Sequence, residues 1–574
     1  MLKVRKLYSK PETFSPISFV DGFNLVMGET TEGDIKTNGV GKSMAIEFLN
    51  YGLLKRHSDS RVSLISGNDL SNKTVVCLDF EIGPHKITTM RSIETPECPT
   101  LIIDGESKTY SNLSDATEHL TVLLYESSDV ENVPSVRQMM GPLIRDEGSE
   151  FKSIINCFDT DKRIPPDYTP HLFLLHIDPK PYTEAKNLYK QIQIVSKARK
   201  KMEDSIEAIT EKKVSESKSD LNELESQVRL IQRDIDQLEN IEGFDVVKEE
   251  IIAVENELEQ ERSRQGVLRS ELSKIKLFRG DNYIDQEEVA ELYNQFKEGL
   301  GDLIKKEIQE VSAFKQKIDN FQRTLIDNRR GSIDEDLKAI GGRIIALNRI
   351  YKEKLSLLDQ EGFLKSLKQT IAIHHQKIEE HSALSSFINK YNDYDSEHKN
   401  KKRDRDEQVY LLESYVNDSI GNVESAEKAI LDIHEYVYGN RKGSFDISVS
   451  KKAEIVNFDL RIDSDGSHSI NREKVFLYDL ALLLDANASD RHPGLLVHDN
   501  IFDVDQDTLI KSMNYISDNM SLLQDKQYIL TINSDKFSES DHELLKFNVD
   551  DYSRAAYTKA NKFLKMNYQE LSRK

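Results

Sequence analysis

Between Pro181 and Pro493 the chain contains no proline, although thirteen prolines are spread over its 574 residues. Proline lacks the amide hydrogen a helix interior needs and clashes with the preceding turn, so the gap predicts a middle region that is mostly helix. The apolar spacing agrees. Leu221, Leu224, Val228, Ile231, Ile235 and Leu238 alternate by three and four, and Ile251, Val254, Leu258, Leu268, Leu272 and Ile275 continue the pattern across Glu261 and Gln265. Val311, Phe314, Ile318, Phe321 and Leu325 form a further seam, as do Leu337, Ile340, Ile344, Leu347 and Tyr351. Such seams predict helices paired as a coiled coil. A break at Asn240 to Asp245, and polar, Gly-bearing stretches at 278–285, 329–332 and 359–362, exclude one uninterrupted coil and mark where helices reverse or bend.

The flanks alternate short apolar runs with turns, as in Thr74 to Ile82, Leu101 to Gly105, Phe445 to Val449 and Val456 to Ile462. That is strand patterning. If the middle folds back on itself, the two flanks meet and build one α/β head. Charged residues make up 31% and mean hydropathy is −0.56, which suits long solvated helices. A net charge of −22 argues against a surface that coats nucleic acid throughout, while leaving room for local basic patches. There is no membrane-length apolar run and no signal-peptide core after Met1, so a cytoplasmic chain is expected, with no membrane partner. Cys77, Cys98 and Cys157 have no metal or redox spacing and fit a reducing compartment.

The chemistry concentrates at Asn38-Gly39-Val40-Gly41-Lys42-Ser43, which follows the apolar run Gly22 to Gly28 and opens the helical pattern Ser43 to Tyr51. This is P-loop chemistry. Glycines let backbone amides approach phosphate, Lys42 on its exposed loop reaches the same oxygens, and the Ser43 hydroxyl ligates Mg²⁺. Ile46, Leu49 and Tyr51 are expected to face a sheet. Lys36 stands where the usual motif has its first glycine. A Gly-rich turn that merely starts a helix is the structural alternative.

The second half of a nucleotide site reads from Pro493 to Asn500, an apolar strand ending in Asp499, which would hold Mg²⁺ in the Walker B role. Asn500 follows where a proton-accepting acid is useful, and an amide cannot accept that proton, so Asp503 and Asp505 are the nearest acidic candidates and slow hydrolysis is expected. Gly466 to Lys474, containing Ser469, opens another helix and could offer amides to a γ-phosphate, or could be an ordinary cap. Gln527 to Asn533 reads as a strand beside the Asp499 strand.

In this order of P-loop, proline-free coil, serine turn, Walker B strand and terminal strand, the chain resembles the SMC-like branch of ABC ATPases over its full length. The resemblance implies an ABC-type (P-loop) ATPase head assembled from both chain ends, with a long antiparallel coiled-coil insertion. Residues 1–182 and 439–574 would be the lobes of the head and 183–438 the coil, with its apex in 278–332. It further implies ATP and Mg²⁺ held between two heads, a head-to-head dimer in which Ser469 reaches the partner's nucleotide. A glutamine loop lies near Arg137-Gln138 or near Ile144-Arg145-Asp146-Glu147, and Asn533 or Ser534 occupies the place of a switch histidine. The phrases Phe476 to Leu482 and Arg491 to Asp499 are similar to bacterial SMC-like proteins of defence operons, namely Lamassu systems and ABC three-component systems. That similarity implies sensing of foreign double-stranded DNA and control of an effector nuclease, with a small accessory subunit.

Two basic clusters are candidates for contact with DNA phosphates: Lys197, Arg199, Lys200 and Lys201, then Lys399, Lys401, Lys402, Arg403 and Arg405. A solvated coil face is the plain alternative, given the interleaved Asp404, Asp406 and Glu407. Two rival functions remain, a break-repair or recombination ATPase and a coiled-coil scaffold that does not bind DNA. Every cysteine precedes residue 158, so the Cys-x-x-Cys hook that break-repair relatives carry at the coil tip is absent.

Overall fold

The computed structural model describes residues 1–29, 39–66, 70–126, 130–157, 159–160, 164–239, 245–278, 308–357, 363–463, 468–502, 504–568 and 570. They form two units, Met1–Asn187 with Asp404–Lys574, and Leu188–Gln286 with Ile308–Arg403.

In the first unit a five-stranded parallel sheet runs in the order Ser553–Tyr557, Gly22–Gly28, Gln527–Asn533, Leu495–Asp499, Ile144–Arg145. Strands from the two ends of the chain are interleaved, so neither flank owns the sheet. The Leu495–Asp499 and Gln527–Asn533 strands are buried at every residue, as expected of parallel strands covered on both faces. A six-stranded antiparallel sheet runs Ile17–Ser18, Leu2–Lys10, Val75–Ile82, His85–Ser92, Thr100–Ile103, Glu106–Thr109. The chain ends are stitched together by the Leu2 amide on the Pro493 carbonyl at 2.6 Å and by the Gln527 side chain, which bonds both the amide and the carbonyl of Val4 at 2.8 Å.

Helix Lys42–Gly52 touches strands of both sheets. The sequence pattern places only Ile46, Leu49 and Tyr51 against a sheet, yet every residue of the helix except Ser43 is buried. A helix between two sheets has no solvent face, which explains Ala45 and Gly52 on the remaining sides. A Cβ at Gly52 would lie 2.7 Å from Leu78 Cβ, so the approach to the antiparallel sheet requires the missing side chain.

The core of this unit also takes in Val409, Leu412, Val416, Val423, Ala426, Ile430 and Ile433, from helices Phe363–Asp418 and Ile420–Tyr438. By contact the head therefore resumes at Asp404 rather than at 439. Lack of proline identifies helix, but it does not say whether that helix packs in a coil or in a head.

In the second unit helices pair antiparallel, Asp245–Phe278 against Ile308–Leu357. Arg329, Arg343, Tyr351 and Lys354 bond Glu271, Glu261, Glu255 and Glu250 in turn, so position falls on one helix as it rises on the other. At its other end Ile206 and Val214 pack with Leu384 and Ile388. The expected seam residues Leu221, Leu224, Val228 and Ile231 are half-buried and Ile235 is buried, because two helices alone cover one stripe. The side chains of Leu238, Ile275 and 311–325 fall outside the described residues, as do 240–244 and 359–362 and most of the expected 278–332 apex, namely 279–307. The expected break at 329–332 is corrected. Gly331 lies within the continuous helix Ile308–Leu357, where buried Ile333 and the Arg329–Glu271 pair outweigh the roughly 1 kcal/mol that a helical glycine costs.

Candidate nucleotide and magnesium site

The turn before helix Lys42–Gly52 carries two glycines with positive φ, Gly39 at 82° and Gly41 at 104°. Asn38 lies outside the described residues. Gly41 opens the Lys42–Gly52 helix with no side-chain cap among the described residues, so the first-turn amides are free of side-chain competition for an anion. The turn is locked from the far end of the chain. Phe563 donates its amide to the Val40 carbonyl at 3.1 Å, and its Cβ would stand 2.7 Å from a Cβ at Gly41. Its ring stacks on Phe14 at 4.6 Å and meets Phe48 edge-on at 5.5 Å.

Lys42 is buried rather than exposed, and its ammonium donates to the Asn533 side-chain oxygen. Asn533 is in register with Gly28 on the neighbouring strand, and a Cβ at Gly28 would crowd both groups, at 2.9 Å from Asn533 Oδ1 and 3.1 Å from Lys42 Nζ. Burial lowers the Lys42 pKa from its ordinary value, while Asp499, Glu147 and Asp535 pull it back up.

Ser43 Oγ donates to Asp499 Oδ1 at 3.1 Å, and Thr531 Oγ1 donates to the same oxygen at 2.6 Å. Asp499 is 1% exposed. Burial, reinforced by Glu147, pushes its carboxyl up to about 7 against the two hydroxyl bonds. A hydroxyl and a carboxylate of this kind at a helix start are the hard oxygen donors Mg²⁺ takes when phosphate oxygens and waters complete its shell, so the donor set fits that ion.

Asn500 has φ of 60° and is held at three atoms. Its amide donates to Thr531 Oγ1 at 2.9 Å, its carbonyl accepts from Arg472 Nη1 at 3.0 Å, and its Nδ2 donates to Glu147 Oε1 at 3.0 Å. Glu147 begins a short turn after the edge strand Ile144–Arg145, which pairs with Val497 and His498. Of the two candidate glutamine-loop stretches, 144–147 is the one that reaches the site. Arg137 instead bonds Asn50 Oδ1 at 2.9 Å and the Leu53 carbonyl at 2.8 Å, and Gln138 closes a capping box with Ser135.

Below the site lies a buried ion pair. Arg145 donates through Nε and Nη2 to the two Asp479 oxygens, each at 2.8 Å, and His498 Nε2 donates to Asp479 Oδ2 at 3.2 Å. A carboxylate can only accept, which leaves His498 Nδ1 to accept from the Tyr528 hydroxyl at 3.0 Å.

Other candidates fall elsewhere. Asp505 caps helix Gln506–Asp518 through the Thr508 amide at 3.0 Å and the Thr508 hydroxyl at 2.7 Å, so its oxygens are engaged away from Asn500. Asp503 lies outside the described residues. Ser469 is in the first turn of helix His468–Leu484, and its side chain falls outside the described residues. On the coil, Arg199 pairs with Asp395 at 2.8 Å and Lys401 bonds Gln191 at 2.7 Å, which sets the two basic clusters on facing stretches. Lys197, Lys200, Lys201, Lys402 and Arg403 are exposed there. Arg405 is buried, and it donates to the Lys451 carbonyl at 3.0 Å.

Sequence reasoning did not single out Thr531 or assign Asn533 its contact with Lys42. The signal was present, since both fall on one face at the end of the strand expected beside Asp499.

A family model described as uncharacterised protein conserved in bacteria (DUF2326) matches residues 433–568. That span contains Arg472, Asp499, Asn500, Thr531, Asn533 and Phe563, and does not include residues 39–43. Among individual proteins, the uncharacterized protein YydD of Bacillus subtilis strain 168 is 21% identical over 580 residues, covering 90% of each chain. Among solved structures, the Smc head domain with a coiled coil and joint from Pyrococcus yayanosii matches with a TM-score of 0.35 and 12% identity, over 93% of this chain and 92% of that one. The Smc head domain with an extended coiled coil bound to the C-terminal domain of ScpA, from Pyrococcus furiosus, matches with a TM-score of 0.32 and 10% identity, over 93% and 91%.

Proposed function

We propose that this chain is an ATPase of the SMC-like type, binding Mg-ATP on the loop 39–43 and hydrolysing it slowly. The observation that carries the reading is the meeting of Ser43 with Asp499 beside a buried Lys42. A helix start, an ammonium and a paired hydroxyl and carboxylate together suit a triphosphate with its cation better than any neutral ligand. Ser43 and Asp499 would hold Mg²⁺, whose charge offsets that of the β- and γ-phosphate oxygens. Lys42 would exchange Asn533 for phosphate oxygen, and the Gly41-Lys42 amides would orient the chain of phosphates. Isothermal titration with Mg-ATP tests this: micromolar-range binding by the native chain, lost in Lys42→Ala, is the expected result.

The finer reading is a head-to-head dimer in which Ser469 serves the partner's nucleotide. Contact of the coil with double-stranded DNA phosphates would be made through Lys197, Arg199, Lys200, Lys201, Lys401, Lys402 and Arg403. Control of an effector nuclease, with a small accessory subunit, in defence against phage or plasmid DNA completes it. Its support is the resemblance of 476–482 and 491–499 to defence-operon proteins, together with the facing basic stretches. A second reading, a scaffold without DNA contact, is favoured by the ion pairs of Arg199 with Asp395 and Lys401 with Glu397, which occupy two of those cations. A gel shift on linear and circular DNA with Lys197, Lys200 and Lys402 changed to Glu separates the two, since only a DNA-binding coil loses affinity.

A further inference from the structure

We propose that Glu147 accepts the proton of the water that attacks the γ-phosphate, and that Asn500 is the amide that aims the pair. This rests on the ATPase reading above. Hydrolysis at a site built from Lys42, Ser43 and Asp499 needs a carboxylate near the phosphate end that is not itself spent on the cation. Asp499 is spent, being bound by two hydroxyls and placed to ligate. Asp505 is a helix cap. Among the described residues, the carboxylate that meets the residue following Asp499 is Glu147, with Oε1 3.0 Å from Asn500 Nδ2. An amide that donates to one carboxylate oxygen leaves the other oxygen to accept from a water.

The placement is built into the fold. Glu147 is two residues beyond Arg145, and Asn500 two beyond His498; both Arg145 and His498 bond Asp479. One buried carboxylate thus holds the two strands that carry the acid and the amide in a fixed relation. Asn500 is further restrained by Thr531 and Arg472 at its backbone amide and carbonyl.

In the step itself, the water oxygen forms a bond to the γ-phosphorus as the bond from that phosphorus to the β,γ-bridging oxygen breaks. The electron pair stays on the ADP oxygen, the water proton passes to the Glu147 carboxylate, and it is later released to solvent. The products are ADP and phosphate.

The test uses the full-length chain with Glu147→Gln, Asn500→Glu and the double exchange, which moves the acid across the 3.0 Å bond. Three quantities are read: Mg-ATP affinity by titration, the single-turnover rate, and the ATP-to-ADP ratio in nucleotide extracted from the complex. Glu147→Gln is expected to bind Mg-ATP within about threefold of the native affinity, to hydrolyse it roughly a hundredfold more slowly, and to retain ATP rather than ADP. The double exchange is expected to recover about tenfold over Glu147→Gln. Native hydrolysis in Glu147→Gln with intact binding overturns the proposal, as does a double exchange with no recovery. Failure of the native chain to bind Mg-ATP at all defeats the ATPase reading instead, and titration alone reveals it.

Discussion

Ser43 and Asp499, 456 positions apart in the chain, meet with the serine Oγ 3.1 Å from the aspartate Oδ1. The first belongs to the helix that follows Gly22–Gly28, the strand second from one edge of the parallel sheet, and the second ends a strand two places away in that sheet. The contact exists only because the two chain ends interleave their strands.

Lys42→Ala is expected to weaken Mg-ATP binding at least about a hundredfold, the loss of a charge-assisted contact worth about 3 kcal/mol. Circular dichroism should show an unchanged secondary structure, because the helix is packed by Met44, Ile46, Phe48 and Leu49 rather than by the lysine. Titration of native and variant chains with Mg-ATP decides it, and equal affinities would end the nucleotide reading.

Gly41→Ala combines a φ of 104° with a Cβ placed against Phe563. Strain of this kind costs about 1–3 kcal/mol, so the urea midpoint should fall and nucleotide affinity should fall with it. Phe563→Gly in the Gly41→Ala background removes the Cβ that the new methyl meets and should relieve the steric part, and a double-mutant cycle showing no coupling would separate the tail from the loop.

Arg145→Met is expected to destabilise the head by about 3–5 kcal/mol, since Asp479 would keep a buried charge with one partner removed. Replacing Arg145 and Asp479 together by apolar residues should cost much less than the single change. Chemical denaturation of the three variants checks the ordering.

Glu473 lies 1% exposed in helix His468–Leu484, and neither carboxyl oxygen has a hydrogen-bond partner among the described residues. Burial, reinforced by Asp505, pushes its carboxyl up to about 8, against about 4.3 for an unfolded glutamate. Between these values the folded chain binds the extra proton. Stability therefore falls as pH rises from about 4.3 to about 8 and levels off above, where Glu473→Gln should be the more stable by on the order of 3 kcal/mol. Thermal unfolding from pH 5 to pH 9 reads the slope, and a variant with the native slope would show that other groups set it.

The local chemistry was legible without coordinates. The missing prolines and the three-four spacing determined long paired helices, since one proline or a wrong period would disrupt them. The Gly39-Val40-Gly41-Lys42-Ser43 run and the apolar strand ending in Asp499 are short-range patterns whose geometry follows from residue type alone. Tertiary structure decided what depends on distant partners. It buried Lys42 against Asn533, and it drew 404–438 into the head core although those residues read as coil. It carried the helix through Gly331, because the buried Ile333 and the Arg329–Glu271 pair beside it outweigh one unfavourable residue. It also chose 144–147 over 137–138 as the stretch beside the site, a choice set by which edge strand pairs with Val497 and His498. Strand order in a parallel sheet is fixed by packing between segments hundreds of residues apart, and no local pattern encodes it.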